Sequence, residues 1–133
     1  MDFLTKDQIL MADDLASEEV EVPEWGGKVL VQELSGTDAN AYQMSLLTIK
    51  DGKVTGMNLD GAPVRLVAMS IVDPVTRLPM FTKDEVAKLG RKSARALDRL
   101  NEVAQRLSGV GDDAIKEAVG NSDAILSEGS NSD

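Results

Sequence analysis

The chain has 133 residues, which suits one domain with a single core. It carries 23 acidic against 14 basic residues, a formal net charge of −9, with no Cys, no His and only 3% aromatics. These counts exclude disulfides, thiolate and imidazole catalysis and the usual zinc ligand sets, and the acidic field repels phosphate backbones.

The core must therefore be built from Val, Leu, Ile, Met and Ala. The same charge that argues against nucleic acid argues against an anionic membrane surface. No apolar run approaches the about 20 residues of a membrane span. The opening MDFLTKDQIL lacks a basic region followed by an apolar stretch, so no secretory signal is expected. Cysteine-free composition suits a reducing cytoplasm.

In chain order, Thr5-Lys6-Asp7-Gln8 has the form of a capping box. It predicts a short helix over residues 6–12 with Ile9 and Leu10 turned inward. Residues 13–17 break that helix. The stretch EEVEVPEWGGKVLVQEL, residues 18–34, then reads as a β-hairpin. Val20 and Val22 alternate with Glu19 and Glu21, Pro23 closes the first strand, and Gly26-Gly27 supplies a turn. Val29 and Val31 resume the alternation, with Leu30 and Leu34 expected on the other face. An isolated hairpin is marginal in water, so a helix or another sheet must cover this one.

Ser35-Gly36-Thr37-Asp38 looks like a helix start, and Ala39, Tyr42, Met44, Leu46 and Leu47 are expected on a helix running to about Ile49. Lys50-Asp51-Gly52-Lys53 is a turn. Residues 54–59 could be a short strand or an ordered loop. Residues 64–72 form the most apolar segment, whose continuous hydrophobicity fits a buried strand or a buried helix. Asp60 as N-cap and Pro63 in the first turn favour helix, with Val64, Val67, Ala68 and Ile71 at helical spacing. Arg65, the one charge in that run, reads as a solvated or snorkelling residue.

Residues 73–77 are a turn, and Leu78-Pro79-Met80-Phe81 is extended and apolar. Thr82-Lys83-Asp84-Glu85 is a second capping box, with Val86 and Leu89 inside a short helix ended by Gly90. Residues 91–108 give the clearest helix, with Ala94, Leu97, Leu100, Ala104 and Leu107 as one apolar stripe and Gly109 at C′. Val22, Val31, Leu97 and Leu100 are expected to be buried. Residues 112–119 could add a short helix. Residues 120–133, GNSDAILSEGSNSD, have the composition of a disordered polar tail. The expected architecture is α+β: a small sheet or hairpin packed on short helices in one domain, residues 1–119, followed by the tail, residues 120–133.

Candidate sites are few. Asp13, Asp14, Glu18, Glu19, Glu21 and Glu24 could be a divalent-metal cluster, but they lack calcium-loop spacing and alternate strand residues face opposite ways. They read better as a solvated acidic edge, which also guards an edge strand against unwanted pairing. Arg91, Lys92, Arg95, Arg99 and Arg106 are interrupted by Asp98 and Glu102 and read as ordinary helix surface. Trp25-Gly26-Gly27 is not a phosphate loop. No nucleophile–base pair emerges, no cofactor or metal site is expected, and the chain does not read as an enzyme. Trp25 can be a core plug or a partially exposed anchor for a partner.

The segment FLTKDQILMADDLASEEVEVPEWGGKVLVQELSG resembles the opening of the tail assembly chaperones of long, non-contractile-tailed bacteriophages. Their pattern is a short helix, an acidic stretch, then V-x-V-P-x-W-G-G-x-V-x-V-x-x-L-[ST]-G. Val20, Val22, Pro23, Trp25, Gly26, Gly27, Val29, Val31, Leu34, Ser35 and Gly36 stand at the matching places. RLVAMSIVDP through MFTKDEVAKLGRKSARALDRLNEVAQRLSGV resembles a later region of that family, although Thr76-Arg77-Leu78-Pro79 departs from its usual glycine turn. The similarity covers most of residues 3–120.

The resemblance implies a non-catalytic protein that binds the phage tape measure protein and keeps it soluble until the tail tube assembles around it. It implies a longer form made by programmed frameshifting, for which the polar tail would be the linker. The partners implied are the tape measure protein, that longer form and the tail tube protein, in the host bacterial cytoplasm and not in the mature virion. Trp25, Leu30, Leu34, Met44 and Met80 are the candidate partner-binding residues. The rival classes are a structural virion protein, such as a tail-tube or head–tail connector subunit, and a small enzyme.

Overall fold

The computed structural model describes residues 2–110. Its architecture is α+β, as the sequence predicts. An antiparallel sheet in the order β1-β2-β5 joins β1 (Ser17–Val22), β2 (Gly27–Gln32) and β5 (Ile71–Val72). A separate hairpin pairs β3 (Leu47–Lys50) with β4 (Lys53–Met57). The helices are α1 (Lys6–Met11), α2 (Gly36–Ser45), α3 (Ala62–Ser70), α4 (Val86–Leu89) and α5 (Ala94–Ser108).

The first hairpin forms as the alternation predicts, with Val20 opposite Val29 and Val22 opposite Gly27. Val20, Val22 and Val31 are buried on the inner face, which α5 covers. A 3₁₀ turn, Pro23–Trp25, joins the strands, and Gly26 ends it at φ 76°, a conformation that costs glycine little. Leu30 and Leu34 do not share the outer face. β2 ends at Gln32, so period-two parity lapses, and Leu34 turns into the core at 6% exposure. Its N–H donates to Ser108 Oγ at the end of α5 (2.9 Å).

The expected helix to Ile49 stops earlier. α2 ends at Ser45 and Leu46 turns the chain into β3. Thr48 and Ile49 are β-branched, and Asp51-Gly52 at φ 54° and 76° makes the doubly left-handed turn that matches the twist of a tight hairpin. These local preferences outweigh continuation of α2. Residues 54–57 accordingly take the strand alternative.

The apolar run is mostly helix, and its last residues become β5, which pairs Ile71 with Val31 and Val72 with Leu30. The helix start is Gly61 at φ 70°, not Asp60, and Pro63 lies in the first turn as expected. Arg65 is half-buried, its guanidinium donating to the Asp60 carbonyl (2.6 Å). Leu66, Val67 and Ala68 are buried in α3, which packs on α5, whose buried residues are Ala96, Leu97, Leu100, Val103 and Ala104. Leu97, Leu100 and Ala104 of the expected stripe are buried and Leu107 is partly buried, whereas Ala94 is exposed at the first residue of α5, after Ser93 as N-cap. Tyr42 and Leu46 complete the core.

Both predicted capping boxes form, at Thr5–Gln8 and Thr82–Glu85. The first helix nevertheless buries nothing: Ile9 is 57% and Leu10 74% exposed. Six residues of helix linked through residues 12–16 make no inward face, so the expectation for Ile9 and Leu10 is corrected. The possible helix at residues 112–119 and the polar tail at residues 120–133 lie outside the described residues.

Candidate functional site

The surfaces able to bind something are built by what surrounds the sheet. Glu24 and Trp25 sit together on the 3₁₀ turn of the first hairpin. Arg99 on α5 donates from Nη1 and Nη2 to the two Glu24 carboxylate oxygens (2.9 and 3.1 Å), which fixes the turn on the helix. That fork holds the Glu24 carboxyl well below its ordinary value of 4.5, at about 2, with a backbone hydrogen bond helping. Further along α5, Arg106 pairs with Glu18 near the start of β1 (2.9 Å). The basic residues read as plain helix surface thus include two that tie the first hairpin down, Arg99 at its turn and Arg106 at β1.

With its turn fixed, Trp25 packs one side on the core and presents another to a groove of about 370 Å³. Phe81 and Leu89 form the rest of its apolar wall, and Glu85, Lys88 and Lys92 its rim. Lys88 on α4 and Lys92 just beyond it lie along the same groove. Thr82 hydrogen bonds to Glu85 Oε1 from its N–H (2.9 Å) and hydroxyl (3.1 Å), and hold that carboxyl below its usual range.

A second cleft, about 260 Å³, opens on the outer face of the sheet. Leu30 and Val72, paired across β2 and β5, form its floor, and Met80 closes one side. Glu19, Lys28 and Arg77 stand around it, with Lys28 Nζ paired to Glu19 (2.9 Å). Arg77 donates to Ser17 Oγ (3.0 Å). Beside it the chain of residues 75–80 exposes Val75, Leu78 and Met80.

The structure therefore brings Leu30 and Met80 into one cleft and puts Trp25 in another. Met44, 46% exposed on α2, lines neither. Leu34 is in the core, so its side chain is not offered to a partner. The sequence does not mark Phe81, Leu89, Lys88 and Lys92 as residues of one site, because their meeting with Trp25 depends on tertiary packing. Both clefts have apolar walls and charged rims, chemistry that favours an apolar or amphipathic protein segment. Among the described residues, no group of three or more acidic side chains is placed to hold a metal ion. Nor, among them, is any helix long and apolar enough to cross a membrane.

No family model matches the chain, and a search of curated proteins finds no match. Among solved structures it is similar to the bacteriophage HK97 tail assembly chaperone, at 25% identity and a TM-score of 0.53, over 80% of this chain and 95% of that one. This likeness supports a tail assembly chaperone family and a chaperone role.

Proposed function

We propose that the chain binds the phage tape measure protein and keeps it soluble while the tail is built. The observation that carries this reading is the structural likeness to the HK97 tail assembly chaperone across nearly the whole of that chain. The client would be a long, helical, aggregation-prone chain. The outer-face cleft of Leu30, Val72 and Met80, extended by exposed Val75 and Leu78, offers adaptable apolar side chains to such a segment. The net charge of −9 would keep the complex dispersed, while apolar burial would supply most of the affinity.

The proposal extends to a frameshifted longer form as co-chaperone, to the tail tube protein as the later partner, and to action in the host cytoplasm with release before the virion is finished. Co-expression with the tape measure protein of the same phage tests it. Soluble client recovered in complex with this chain is expected. A client equally insoluble with and without this chain and its longer form, with no complex captured, overturns the reading. Recovery of the chain as a stoichiometric component of purified virions would favour a tail-tube or connector subunit instead.

A further inference from the structure

The outer face of the sheet carries an apolar surface that no other part of the described chain covers. Leu30 and Val72 floor the cleft of about 260 Å³, Met80 beside them is 48% exposed, and Val75 and Leu78 further along are 88% and 64% exposed. A contiguous apolar patch left in water marks a surface with an occupant. Arg77 stands over the same cleft. Lys28 has Glu19 as its ion-pair partner (2.9 Å), whereas Arg77 donates to the neutral hydroxyl of Ser17 (3.0 Å). The cleft therefore offers an apolar floor beside a guanidinium that no salt bridge takes up among the described residues.

The C-terminal stretch of the same chain has the matching chemistry. Residues 120–133 hold just two large apolar residues, Ile125 and Leu126, adjacent in Asp123-Ala124-Ile125-Leu126-Ser127-Glu128. That stretch carries Asp123, Glu128 and Asp133 and no basic residue. On a chain of net charge −9, an acid-flanked apolar pair is repelled from most of the surface and drawn to an apolar floor with a cation beside it.

Reach favours this cleft over the groove at Trp25. The end of α5 and the cleft lie at the same end of the sheet. Ser108 Oγ accepts the Leu34 N–H (2.9 Å), the Glu33 N–H donates to the Ala16 carbonyl (2.8 Å), and Ser17 next to it holds Arg77. Val110 is buried two residues beyond Ser108, so the chain leaves the fold there. Rounding the β1 edge from α5 to the outer face covers about 20 Å, one helix diameter and two strand spacings. Residues 111–122 span at most about 40 Å. The groove at Trp25 lies the length of β1 further away, about another 20 Å. A short tether gives an effective concentration of about 1 mM. A contact with a Kd of about 1 mM, too weak to join separate molecules at working concentrations, is then about half occupied within one chain.

We propose that residues 123–128 dock in the outer-face cleft of their own chain, with Ile125 and Leu126 on Leu30, Val72 and Met80 and an acidic flank at Arg77. Under the client reading the tail then competes with the client for this cleft. The docking itself does not rest on that reading, and its test contains no client.

The full chain has no Cys, so Ser127→Cys supplies a single thiol for a nitroxide label. Methyl signals of the labelled chain are compared before and after the nitroxide is reduced. The loss of signal should be greatest at Leu30, Val72 and Met80, and small at Ile49 on the second hairpin and at Leu89 in the Trp25 groove. Adding Ile125→Ser with Leu126→Ser should weaken docking about tenfold or more, so the docked share falls from about half to about a tenth and the three signals recover. Asp123→Asn with Glu128→Gln is the milder change and should recover them in part. A mixture of nitroxide-labelled chain with separate isotope-labelled chain should show no selective loss, since the contact lies within one molecule. Losses spread evenly over the surface, losses centred on Leu89, losses that survive the Ile125 and Leu126 substitutions, or equal losses in the mixture would each overturn the proposal. Shifted Leu66 and Leu100 signals in the Ile125 and Leu126 variant would put that pair in the core instead, and overturn it likewise.

Discussion

Arg99 forks onto Glu24 across the seam between α5 and the hairpin turn, and so sets where Trp25 stands. The two side chains keep 39% and 29% of their surface in water, so solvent screens the pair. Its two-pronged geometry is nevertheless the kind that ordinary surface pairs lack. Because the folded state depresses the Glu24 pKa from 4.5 to about 2, the pair stabilises the fold fully above the unfolded value. That contribution fades as pH falls from about 4.5 toward about 2. Glu24→Gln should lower stability at neutral pH and flatten its loss across that acid window. Urea titrations at pH 7, 4 and 2.5 check this; parallel losses in parent and variant would show that the fork contributes nothing.

Leu100 is wholly buried where α5 meets α3 and the sheet. Leu100→Ala should cost about 2–5 kcal/mol, the transfer loss plus the cavity left behind. Ser70, also buried, has an Oγ without a hydrogen-bond partner, so Ser70→Ala should be neutral or slightly stabilising. Chemical denaturation of the two variants measures both, and a Leu100→Ala midpoint equal to the parent's would mean the buried stripe is misassigned.

Arg77 lies at φ 61° without being glycine, in the turn closed by the Asp73 and Leu78 backbone. A left-handed conformation costs an ordinary L-residue about 1–2 kcal/mol. Arg77→Gly relieves that strain, although it adds freedom to the unfolded chain and loses the bond to Ser17. Arg77→Val loses the same bond and keeps the strain in β-branched form. The valine variant should be less stable than the glycine variant by about 1–2 kcal/mol. Equal stability of the two would mean that the turn relaxes.

What the residues declared in advance was what local chemistry controls. Alternation in β1 and β2, both capping boxes, and the three-four spacing of Leu97, Leu100 and Ala104 are each written within a few residues. The misreadings fall where one local rule meets another. Leu46-Leu47-Thr48-Ile49 continues a helical pattern until the Asp51-Gly52 turn claims its second half for a hairpin. Ile9 and Leu10 show a sound helix, but whether its apolar face meets a core depends on the path of residues 12–16. The candidate sites were legible one wall at a time. Trp25 stood out as the lone indole, whereas Phe81, Leu89 and Lys92 join it only once α4 and α5 are packed.

The two clefts make opposite demands on Trp25 and Met80. Trp25 packs on the core as well as lining its groove, so Trp25→Ala should lower the melting temperature together with any function of that surface. Truncating an aromatic costs about 3–5 kcal/mol when burial is complete, and less here because the indole is only partly buried. Met80 and Leu78 lie on the exposed stretch beside the outer-face cleft. Met80→Asp with Leu78→Asp should leave the melting temperature within about 2 °C of the parent, as surface changes usually do. If that cleft is where the client binds, the same double variant should lose most of its ability to keep the tape measure protein soluble. Co-expression yields read beside thermal melts separate the outcomes. A folded double variant that still rescues the client moves the client surface away from the sheet, whereas loss of rescue at unchanged stability assigns it to Leu30, Val72 and Met80.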